Sequence, residues 1–145
     1  MDESAFRKAR SAANPQPCAF ERALLARCSA CTLAERRNIA ERELVACASP
    51  AARAQCAELL ASLRQNAAFA LKLVQADAEL PHAKQMKLQC GALQGLRRVS
   101  PGVADDVHAL VRAGAETFAG LANLPYAALV QSISAYQVRP RRQKA

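Results

Sequence analysis

Apolar positions recur along this chain mostly at intervals of three and four, the spacing that lines one side of an α-helix. Phe20, Leu24, Cys28 and Cys31 make the first such stripe. It permits either one long helix running to residue 47 or two helices broken near Cys28. Thr32-Leu33-Ala34-Glu35 has the capping-box pattern, in which the Thr hydroxyl and the Glu carboxylate satisfy the amides of a first helical turn. The pattern predicts a short helix over about residues 19 to 27 and a fresh start at Thr32, with Leu33, Ala40, Leu44 and Cys47 along one side.

Ser49-Pro50 pairs a good N-cap with proline at the first helical position. The helix it opens carries Cys56, Leu59, Leu60, Leu63, Ala67, Ala70, Leu71 and Val74, the clearest 3.6-period face in the chain. These two helices are expected to form an antiparallel hairpin. Residues 76–89, with Pro81 and His82, read as a crossing loop that leads into Cys90-Gly91. Ser100-Pro101 repeats the helix start before Val103, Val107, Leu110, Val111, Phe118 and Leu121, and Pro125 opens a last helix with Tyr126, Leu129, Val130 and Ile133 inward.

The fold expected from these stripes is all-α: an antiparallel bundle of about four main helices plus a short N-terminal helix. Residues 1–17, which include Pro15 and Pro17 and have no sustained apolar face, are expected to be a mobile arm. Residues 18–138 form a single helical domain with a Cys-lined site, and 139–145 a basic tail. Composition agrees with helices. Of 145 residues 52% are apolar, largely Ala, Leu and Val, while only 4% are aromatic and none is Trp.

Charge adds a question of partners. The net charge is +8, and eight cations account for it: Lys84, Lys87, Arg97 and Arg98 in a stretch without acidic residues, and Arg139, Arg141, Arg142 and Lys144 at the end. The tail residues are the candidates for docking an acidic protein. Nucleic acid is the weaker reading, since Phe20, Phe69, Phe118 and Tyr126 all fall on inward faces and leave few aromatics for stacking on bases. No stretch is apolar over the length of a membrane span or a leader peptide, so a cytoplasmic setting is expected.

In a reducing compartment six cysteines point to ligands, redox groups or buried thiols rather than permanent disulfides. Cys31 and Cys47, at opposite ends of one expected helix, would lie about 24 Å apart and could not share a centre. Cys18, Cys28 and Cys31 fall at the other end, where Cys90 can return after the loop. The expected site is therefore an all-thiolate set of Cys18, Cys28, Cys31 and Cys90, which suits an iron–sulfur cluster, a [4Fe–4S] cluster foremost, with structural zinc as the alternative. Gly91 beside Cys90 would let an amide approach a sulfur. Cys47 and Cys56 read as buried small hydrophobes or a secondary thiol pair.

Cys18-x9-Cys28 and Cys47-x8-Cys56 resemble the twin Cx9C helical-hairpin proteins, a likeness that implies two helices joined by two disulfides. It covers only residues 18–56, its second half has eight intervening residues, and Ser49-Pro50 interrupts the second helix. His82 is a possible fourth ligand in a Cys₃His set, and Asp105 and Asp106 before His108 suit the start of a helix. No Ser-His-Asp set or phosphate-binding glycine loop is present. The function expected is electron transfer, redox sensing or cluster delivery without catalysis of its own, the alternative being a zinc-stabilised adaptor or regulatory protein.

Overall fold

The computed structural model describes Ala5, Lys8, residues 14–73 and residues 79–138. Its described elements run α1 (Glu21–Leu25), β1 (Ala34–Ile39), β2 (Arg42–Cys47), α2 (Pro50–Ala67), α3 (His82–Val99), α4 (Val107–Thr117), a 3₁₀ turn (Leu121–Asn123) and α5 (Tyr126–Ala135). The fold is mixed α and β, which corrects the all-α expectation. The tail cations Arg139, Arg141, Arg142 and Lys144 lie outside the described residues, as does Val74.

The correction centres on residues 32–47. Ala40 and Glu41 both take left-handed backbone, with φ of 49° and 67°, the conformation that joins antiparallel strands with the twist they need. The strands pair from Ala34 opposite Cys47 to Ile39 opposite Arg42. Leu44, Val45 and Ala46 are buried in succession, as befits a strand covered on both faces rather than one side of a helix. The supposed capping box is used differently. Thr32 turns its amide and hydroxyl to the carboxylate of Asp106, and Glu35 sits opposite Ala46 on β1.

Segment 14–18 lies along the free edge of β2. Pro17 bridges Ala46, the amide of Cys47 donates to the Gln16 carbonyl at 2.9 Å, and that of Cys18 donates to the Val45 carbonyl at 3.0 Å. The buried Glu21 carboxylate accepts the Val45 amide at 2.9 Å. Phe20, Ala23 and Leu24 of this region are fully enclosed. The short first helix is thus built into the sheet by backbone bonds and into the core by its apolar side.

Residues 82–99, expected as loop and approach to Cys90, form the eighteen-residue helix α3. Its two internal glycines weaken the helical signal and serve packing instead. A Cβ on Gly91 would meet the Ile133 backbone at 2.6 Å, and one on Gly95 would meet a Leu129 methyl at 2.9 Å. α3 and α5 approach at these two points. Ser100-Pro101 ends this helix instead of starting the next, and the carboxylate of Asp106 caps α4 by accepting the Ala109 amide at 2.9 Å. Leu59, Leu63, Leu93, Leu96, Leu110, Leu129 and Ile133 fill the core between the helices. Phe69, expected inward, is 98% exposed beyond the end of α2.

Gly91→Ala tests the close approach of α3 and α5. The added methyl group has backbone in front of it and nothing flexible to displace, so a loss of about 1–3 kcal/mol is expected. Denaturant midpoints at unchanged slope measure it; a neutral substitution would mean that the two helices stand further apart.

Candidate functional site

The hairpin overturns the argument that kept Cys31 away from Cys47. The Cys31 carbonyl accepts the Ala34 amide at 3.1 Å just ahead of β1, and Ala34 pairs with Cys47 at the end of β2. The pairing of segment 14–18 with β2 brings Cys18 to the same place. Two residues beyond Cys47, Ser49 caps α2 by accepting the Ala52 amide at 3.1 Å, and Cys56 stands in the second turn of that helix. The Cys47 thiol donates to the Ser49 carbonyl at 3.3 Å.

Cys18, Cys31, Cys47 and Cys56 are all free and all half-buried. Each lies near enough to the others for their charges to interact. Cys18 feels Cys31 and Cys47, Cys31 feels Cys47, and Cys56 feels the other three. Those relations cover every pairing of the four.

Burial is the largest influence on three of these thiols. It pushes Cys18 from 9.0 to about 11 and Cys56 to about 12, and it raises Cys31. Nearby thiolates add to the rise, as do Glu21 at Cys18 and Asp106 at Cys31. Backbone amides act in the opposite sense: Phe20 donates to the sulfur of Cys18, and Leu33 and His108 donate to that of Cys31. Protein N–H groups aimed at sulfur stabilise thiolate, the form that ligates a metal.

Cys28 and Cys90 are elsewhere engaged. They are joined by a disulfide across 62 residues, tying the chain after α1 to the middle of α3. Arg97 donates to the Cys28 carbonyl at 2.7 Å and forms an ion pair with Asp105 at 2.9 Å. The expected quartet of Cys18, Cys28, Cys31 and Cys90 is therefore divided: Cys18 and Cys31 stand with Cys47 and Cys56, while Cys28 and Cys90 are bonded to each other. Gly91 meets Ile133 rather than turning an amide to a metal ligand. His82 opens α3 at an exposed position, and the part of His108 that reaches the site is its amide.

Four thiols suit a thiophilic metal or an iron–sulfur cluster in donor chemistry. Among the described residues, no three His, Cys, Asp or Glu side chains are already drawn together around the space of a single ion. Without a metal, Cys18, Cys31 and Cys56 are protonated, weakly nucleophilic thiols at neutral pH, because burial raises their pKa and thiolate is the reactive form.

Two titration effects follow. A thiol whose folded pKa exceeds its unfolded value supports folding below the unfolded value and loses that support as pH rises through the folded one. The metal-free chain should hold its stability up to about pH 9 and lose it between about 9 and 12, the interval set by Cys18 and Cys56. Iodoacetamide labelling of Cys18 in the folded chain should accelerate about tenfold per pH unit from 8 towards 11. In the unfolded chain without reductant, four of the six cysteines should label, with peptide mass spectrometry leaving Cys28 and Cys90 unmodified. Fast labelling of Cys18 at pH 7 would contradict its burial.

Comparison with known protein families, curated proteins and solved structures finds no match to this chain.

Proposed function

We propose that this chain binds an iron–sulfur cluster through Cys18, Cys31, Cys47 and Cys56 and serves electron transfer, redox sensing or cluster delivery. The observation that supports this reading is the hairpin register, which sets Ala34, just after Cys31, opposite Cys47, with Cys18 on the segment paired to the same strand and Cys56 in the second turn of the helix that follows it. The amides of Phe20, Leu33 and His108 on two of the sulfurs favour the charged form that a cluster needs. Half-burial excludes most water while leaving an edge close enough to solvent for electron exchange.

Zinc is the alternative, as the core of an adaptor or regulatory protein. With Zn–S bonds of about 2.3 Å, one ion draws its four sulfurs to within about 3.8 Å of each other. A multinuclear cluster holds them farther apart, so the sulfur-to-sulfur spacing in the loaded protein distinguishes the two. The proposal includes a cytoplasmic setting, in which a Cys28–Cys90 disulfide is a reversible, redox-responsive bond rather than a permanent one. It also includes an acidic partner protein, for which the net charge of +8 supplies long-range attraction that salt would screen.

Anaerobic reconstitution with ferrous iron and sulfide tests the reading and the choice of ligands together. The native chain should turn brown, absorb near about 400 nm and retain both iron and acid-labile sulfide. Cys56→Ser should lose most of the bound iron, whereas the double variant Cys28→Ala/Cys90→Ala should keep it. Equal loss from both would return Cys28 and Cys90 to the ligand set. A colourless chain holding one equivalent of zinc would establish the alternative.

A further inference from the structure

A cavity of about 810 Å³ opens beside Cys18, between α2 on one side and α1 and α3 on the other. Its α2 wall is one helix face, Arg53, Ala57, Ala61 and Arg64, continued by Ala68 at the helix's C-terminal cap. The fifteen residue steps from Arg53 to Ala68 span about 22 Å at 1.5 Å per residue. Three alanines on this face leave the space open, and Leu60, Leu80 and Leu88 supply apolar walls. The lining is mostly apolar and cationic at particular points.

The cations are placed to hold an anion. Arg22 on α1 donates through Nε to the Gln85 side chain at 2.7 Å, and Arg53 donates through Nε to the Pro17 carbonyl at 2.8 Å. Each guanidinium is thereby fixed by one N–H, while its terminal nitrogens have no partner among the described residues. Such a pre-positioned fork matches a carboxylate or phosphate. Two carboxylates also border the cavity. The Glu21 carboxylate is committed to the Val45 amide, and Glu79 is exposed.

We propose that this cavity is a binding site for a small anionic amphiphile, with its apolar body along the alanine face of α2 and its anionic head on Arg22 and Arg53. Volume, lining and a few fixed polar groups are those of a small-molecule site. Head groups of the carboxylate and phosphate classes share the chemistry that the two arginines recognise. The site adjoins the four-thiol group through Cys18, but neither arginine that holds the anion is a proposed ligand of the cluster.

Calorimetric titration of the full chain with dodecanoate, dodecyl phosphate and dodecyltrimethylammonium, each below its micelle concentration, tests the proposal. One saturable site for an anionic chain is expected, with the cationic chain at least tenfold weaker and acetate or inorganic phosphate alone not binding. The ratio of dodecanoate to dodecyl phosphate separates the two head groups. Arg22→Gln and Arg53→Gln should each weaken binding about tenfold, and Ala57→Trp should block it by filling the cavity, with circular dichroism confirming the fold. Should any variant fail to fold, shortening dodecanoate to hexanoate on the native chain must weaken binding. Equal affinity for both signs of charge, insensitivity to chain length, or a folded Ala57→Trp that binds normally would overturn the assignment. Cys56→Ser should leave this binding unchanged, which separates it from the cluster.

Discussion

The pairing of β1 with β2 through a two-residue left-handed turn is the constraint on which the arrangement of this protein depends. Ala40 and Glu41 reverse the chain, and the resulting register puts Ala34 across from Cys47. Cys31 is thereby carried back to a residue sixteen positions later. A helix over the same stretch would separate those thiols by about 24 Å. The same strand recruits segment 14–18 by backbone bonds, adding Cys18, and its exit into the Ser49 cap adds Cys56. Local backbone geometry thus assembles a chemical group whose members are distant in sequence.

Two further interactions fix the sheet to the helices. Asp106 accepts from Thr32 and from the first turn of α4, so one carboxylate joins the chain ahead of the hairpin to a helix cap. Val107 donates its amide to the Ala30 carbonyl at 2.9 Å in the same region. On the other side, Glu21 joins α1 to β2, and the Cys28–Cys90 disulfide joins the chain after α1 to α3. α3 is itself set against α5 by the missing side chains of Gly91 and Gly95. The free thiols therefore lie at, or in segments attached to, one end of a hairpin braced from both sides.

Much of the helical part was legible in the sequence. The Ser49-Pro50 start is the start of α2, and Leu59, Leu63, Leu110, Leu129 and Ile133 are buried as their spacing implies. The failures have physical causes. At residues 32–47 a weak 3.6-period stripe and a capping-box motif outweighed Leu44-Val45-Ala46, a run of three apolar residues that a strand buries on both faces. At 82–99 the glycines lowered local helical preference while their contacts with α5 supplied the compensation, which no local signal contains. The site followed the first error: once Thr32 to Cys47 was read as a helix, Cys47 and Cys56 were set apart from Cys18 and Cys31. The spacing of the six cysteines suggested an all-sulfur set, but which thiols lie near one another depends on the hairpin register, which spacing does not contain.

The central claim is that one metal centre is held by the four free thiols and by no other side chain. X-ray absorption at the metal edge, on the Cys28→Ala/Cys90→Ala chain loaded anaerobically, tests it most directly because it reads the ligand atoms and removes the competing cysteines at once. The account predicts a first shell made only of sulfur at about 2.3 Å, the same as in the native chain. Nitrogen or oxygen in that shell, or a variant that no longer binds metal, would contradict it.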